Sequence, residues 1–80
     1  MLVKIKEDLW VEHTKVVEVY SRDQGNISGT DYILDVKYMA GKIHHVGSQK
    51  FDTSQERNNC RREVINRING AYRENKHCCG

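Results

Sequence analysis

The spacing of apolar residues changes once along this chain, at Asp52, and that change limits the fold more than any other feature. Before it, apolar residues alternate with polar ones or gather in β-branched runs. After it, Cys60, Val64, Ile65, Ile68 and Tyr72 recur every three or four places. Period-two spacing lines one face of a strand, and a period near 3.6 lines one face of a helix. The expected class is therefore α+β: an antiparallel sheet of three to four strands packed against one C-terminal helix.

Within the first part, Leu2-Val3-Lys4-Ile5-Lys6 reads as a strand with Val3 and Ile5 on its buried face. Glu7-Asp8 is a turn, Leu9-Trp10-Val11 a second apolar clip, and Glu12-His13-Thr14-Lys15 a polar turn. Val16-Val17-Glu18-Val19-Tyr20 is rich in strand formers. Residues 23–30 hold two glycines, Asn26 and Ser28, and read as a loop. In the next strand Leu34 and Val36 share a face with Tyr32 and Tyr38, while Ile33, Asp35 and Lys37 point the other way. Ala40-Gly41-Lys42 is a tight turn into a last strand ending at Phe51.

Asp52 with Gln55, and Thr53 with Glu56, are helix-capping pairs; Asn69-Gly70 is a stop signal. The spacing predicts a helix over 53–69. Its apolar face is expected to meet Val3, Ile5, Val11, Val17 or its neighbours, Leu34, Val36 and Ile43, with Trp10 as the largest anchor. Residues 1–76 form one expected domain, followed by a flexible tail at 77–80.

Catalytic chemistry is not expected. Eighty residues make one thin core, and the 9.3 kDa mass scales to a folded surface of about 5,000 Å². A protein partner covers about 800 Å² of that, which the chain can spare. No Ser/His/Asp or Cys/His set shares a local context, and no glycine-rich phosphate loop occurs. Adjacent His44 and His45 point to opposite faces of a strand, so they cannot chelate one ion together. His77-Cys78-Cys79-Gly80 lacks the spacing that lets a loop wrap zinc. No metal and no cofactor are expected. Cys60 falls on the helix's core face as a small inert hydrophobe. Free thiols fit a reducing compartment. Residues 2–11 are too charged for a signal or a membrane span, so the expected setting is a cytoplasm without membrane attachment.

Net charge is +2, unevenly spread. The first 52 residues carry seven Lys/Arg against eight Asp/Glu, and the rest six against three. Arg57 and Arg61 fall inside the helix's apolar arc, where a charge must snorkel or meet a partner. With Arg62 they make one candidate partner-binding edge. Asn26 and Ile27, in the 23–30 loop, make a second. Arg67 is expected to pair with glutamates on its own helix.

Leu2-Val3-Lys4-Ile5, Leu9-Trp10-Val11 and Val16-Val17-Glu18-Val19, with Gly41, Val64-Ile65 and Ile68-Asn69, resemble a type of small phage-encoded accessory protein. The resemblance covers most of the chain; the 23–30 segment and the His-Cys-Cys tail depart from it. It implies a viral or mobile-element protein that binds and blocks a host protein complex in the bacterial cytoplasm, as anti-CRISPR proteins do. The alternative expectation is a nucleic-acid-binding accessory protein using the arginine-bearing helix, with steep salt dependence. A third is a homo-oligomer joined through an edge strand.

Overall fold

A two-stranded hairpin, a three-stranded sheet and one long helix make the molecule. The computed structural model describes the backbone of residues 1–79 and the side chains of residues 1–74. Strands β1 (Leu2–Lys6) and β2 (Leu9–Glu12) form an antiparallel pair. Their turn places Asp8 at φ 62°, in the left-handed region that Asp tolerates better than most residues. A single 3-10 turn, His13–Lys15, leads into β3 (Val16–Asn26), β4 (Gly29–Ala40) and β5 (Ile43–Phe51). These pair antiparallel in the order β3-β4-β5 as a separate sheet. Helix α1 (Ser54–Cys79) completes the α+β architecture. The expected meander is thus two sheets, with the first hairpin laid over the second sheet instead of extending it.

The segment 23–30 is not a loop. β3 runs to Asn26 and β4 resumes at Gly29, leaving only Ile27 and Ser28 as the turn. The Asn26 carboxamide oxygen accepts from Ser28 N and Oγ, both at 2.9 Å, so side-chain chemistry closes a tight hairpin where composition suggested a wide one. β5 ends opposite Tyr32. Beyond that point residues 24–31 continue as a two-stranded ribbon with no third strand. The turn between β4 and β5 places Gly41 at φ 65°, at the first central position, where a type II′ turn needs glycine.

One face of β4 supplies Leu34 and Val36 to the core, joined by Val3, Ile5 and Val11 of the first hairpin and by Val64 and Ala71 of α1. Each of the Val, Leu and Ile side chains contributes about 1.5–3 kcal/mol when removed from water. Leu9, Val16, Val19, Tyr38, Cys60 and Ile68 pack at its margin. Gly47 of β5 admits the first hairpin: a Cβ there would lie 2.8 Å from Leu9 Cδ2. Lys6 Nζ then donates to the Ser48 carbonyl at 3.1 Å.

Two expected core residues, Trp10 and Ile43, lie outside it, and around Val17 it is Val16 and Val19 that pack against the core. Trp10 is 58% exposed, because Val11 opposite Val3 takes the inward positions and alternation turns Trp10 outward, across from Lys4. Ile43 and Val17 are also exposed, at a strand end and at an irregularity in the β3–β4 register. Cys60 and Ile65 are half-buried.

The helix does not stop at Gly70. Ala71 is buried in the core and Tyr72 packs edge-on against His13, ring centroids 4.6 Å apart. That packing outweighs the roughly 1 kcal/mol that glycine costs within a helix. At the other end the Thr53 hydroxyl accepts from Glu56 N at 3.1 Å, the expected cap. Helix α1 continues through residues 77–79, where the sequence suggested a flexible tail; Gly80 and the side chains of residues 75–80 lie outside the described residues.

Candidate functional site

Where β1 runs beside the second half of α1, the surface opens into a groove of about 430 Å³. Val3 and Ala71 belong to the core and lie at its base; Met1, Leu2 and Trp10 contribute exposed apolar groups. The strand pattern produces this directly. Val3 and Val11 point inward, so Leu2 and Trp10 must point outward. Gly70 adds depth, since a Cβ there would meet no atom within 4 Å. The charged lining is Lys4, Arg67 and Glu74. Arg67 is held in place: Nη1 donates to the Lys4 carbonyl at 3.2 Å and Nη2 lies 3.7 Å from Glu63 one helical turn away, the expected internal pairing. Lys4 Nζ sits 3.2 Å from Glu7. An apolar groove with fixed charges at its margin suits an apolar side chain flanked by polar groups.

At the end of the same hairpin, His13 is buried, an arrangement that the polar-turn reading missed. The signal was present, since His13 follows Val11 at period two. Its Nδ1 lies 2.9 Å from Glu12 Oε1 and 3.2 Å from the Met1 carbonyl, which also accepts from the His13 backbone N–H at 3.0 Å. The amino terminus donates to Glu12. That hydrogen bond, opposed by desolvation and then helped by the charges of the amino terminus and His13, holds the Glu12 carboxyl below the usual carboxylate range. This cluster ties Met1 to β2 and so positions one side of the groove.

The arginine edge expected from the helical wheel divides in two. Arg57 is buried and committed to the fold: Nη1 pairs with Asp23 and donates to the Arg22 carbonyl, and Nε donates to Asn58. Its guanidinium also lies 5.5 Å from the Tyr32 ring centre. The apolar arc did place Arg57 inward, and β3 supplies the acid that satisfies it there. Arg61 and Arg62 remain exposed. Asn26 and Ile27 occupy the tip of the β3–β4 ribbon, with Ile27 fully in water. No described hydrogen bond or ion pair joins that tip to Arg61 or Arg62.

On the sheet's outer face, Asp35 is buried and accepts from Arg22 Nε and Ser48 Oγ, each at 2.6 Å. His44 and His45 are exposed, and the His45 ring stacks on Tyr38 at 5.6 Å. Burial, with Glu63 nearby, pushes the Cys60 thiol upward, away from the thiolate that nucleophilic chemistry requires. Among the described residues no three His, Cys, Asp or Glu side chains gather as a metal site, and no helix is long and apolar enough to cross a membrane.

No family model, curated protein or solved structure matches this chain.

Proposed function

We propose that this chain is a non-enzymatic binding protein that docks on a host protein complex and inhibits or modulates it, with the Trp10 groove as its principal contact. The observation that carries this reading is Trp10 itself. A tryptophan more than half exposed, beside exposed Leu2 and Met1 and a groove with charged residues in its lining, has the composition of an interface hot spot. The phage-accessory resemblance makes a bacterial complex the class of partner to seek. The nucleic-acid alternative draws less support, because Arg57 and Arg67 already hold partners within the fold.

Quantitative pull-down from bacterial lysate with the wild-type chain and with Trp10→Ala tests the reading. The expected result is a host complex retained by the wild type and depleted at least about tenfold by the variant, the change that 1.4 kcal/mol produces. Trp10 is the single tryptophan of this chain, so the difference between the emission of the mixture and the sum of its separate components, compared with the same difference for Trp10→Ala, should show a blue shift on binding. Equal recovery by both proteins, or unchanged emission on binding, excludes the groove as the contact.

A further inference from the structure

We infer that the outer edge of β3 pairs antiparallel with the same edge of a second copy of this chain, forming a continuous six-stranded sheet about a two-fold axis. The inference stands apart from the Trp10 groove and rests on different residues. β3 spans 11 residues at the border of its sheet, with no strand beyond it among the described residues. Long edges are usually guarded by lysine, proline, a bulge or a covering element. β5, the opposite border, has such guards: Lys50 lies on it, and Lys6 reaches across to the Ser48 carbonyl. β3 contains neither lysine nor proline; its register irregularity is confined to its start, between Val16 and Glu18, and the described side-chain contact on its backbone, Arg57 to the Arg22 carbonyl, falls at one position.

The edge is also complementary to itself. Glu18, Tyr20 and Arg22 lie on one face of β3 by alternation. Antiparallel pairing centred on Tyr20 sets Glu18 opposite Arg22 of the second copy, and Arg22 opposite Glu18 of the second copy. Opposite charges across a strand pair favour one register. Glu18 is exposed and has no ion pair among the described residues. Arg22 is half exposed, and Asp35 holds its Nε, which orients the guanidinium. The Arg22 carbonyl accepts from Arg57, and a carbonyl has a second lone pair for a ladder bond.

Beside this edge, residues 16–19 of β3 with Ile65, Ile68 and Asn69 of α1 line a second groove of about 220 Å³. Val17, half exposed there, and half-buried Ile65 are apolar groups that an isolated chain leaves partly in water. A two-fold axis normal to the sheet keeps both helices on one face and turns the two grooves toward each other. An isologous contact of this kind closes at two copies, so it gives a dimer and not a fibre.

Sedimentation of the full chain in reductant, from micromolar to millimolar concentration, tests this. The expected species has twice the 9.3 kDa chain mass. Val17→Lys and Glu18→Lys, both at exposed positions, should restore the single-chain mass while circular dichroism stays unchanged; Trp10→Ala should remain dimeric. A wild-type chain that stays single at millimolar concentration overturns the inference, as does a dimer that survives both lysine variants. Should either variant unfold, hydrogen exchange on the wild type decides. Amides of β3 must gain protection with concentration, and protection gained only elsewhere overturns the proposal.

Discussion

Asp35 and Arg22 form a pair in which burial is unequal: the carboxylate is 2% exposed and the guanidinium 47%. Removing one member therefore does not cost the same as removing the other. Arg22→Met leaves a buried carboxylate with only the Ser48 hydroxyl, and breaking a buried pair this way costs about 3 kcal/mol or more. Asp35→Ala leaves an arginine that can reach water, at about 1–2 kcal/mol. Urea denaturation of both variants should show that order, and the reverse order would mean that the arginine carries the burial cost. The alternation of β4 correctly turned Asp35 and Ile33 away from the helix. The burial of Asp35 was not legible, because it goes with Arg22 and Ser48, which pairing alone brings alongside from strands on either side. His13 was legible in principle through its period-two relation to Val11, but a polar neighbourhood concealed it. Arg57 carried a readable signal, a charge inside an apolar arc. The sequence could not say whether a partner or Asp23 would answer it.

The first hairpin rests on the main sheet at Gly47. A methyl group there would lie 2.8 Å from the end of the Leu9 side chain, which can rotate aside, and in ordinary contact with Lys6 at 3.6 Å and Ile5 at 3.9 Å; the two branches of valine must enter the same space. Gly47→Ala should cost under about 1 kcal/mol and Gly47→Val about 1–3 kcal/mol, the usual range for overpacking. Thermal melts compare them, and a Val variant as stable as wild type would show that the hairpin is not tightly docked. Element types followed from periodicity because strand and helix patterns are local. Boundaries did not. Residues 23–30 have loop composition yet form a tight turn closed by the Asn26 side chain, and the helix passes Gly70 because Ala71 and Tyr72 find packing partners far away in sequence. Trp10 illustrates the same limit. The alternation that points Val11 inward also points Trp10 outward, so size was a poor guide to burial. The candidate groove follows from that outward turn, but its helical wall required the fold.

The molecule measures 52 × 28 × 19 Å, and its radius of gyration of 14.1 Å exceeds the roughly 12 Å that chain length alone implies. Its surface of 5684 Å² likewise exceeds the roughly 5,000 Å² expected from mass. Part of the surplus belongs to the ribbon at residues 24–31, which lies past the end of β5 and is exposed over most of its length. Replacing residues 25–30 by Asn-Gly should shorten the particle in X-ray scattering and change stability by no more than about 0.5 kcal/mol, as for other surface alterations. A loss above about 2 kcal/mol would show that the ribbon supports the core. In the groove beside Trp10, Gly70 leaves a hydrogen atom where any other residue would put carbon. The hollow beside Trp10 consequently has an adjustable floor. Its depth can be graded one carbon at a time from a single helical position, leaving every strand as it stands, so capacity and scaffold can be varied separately.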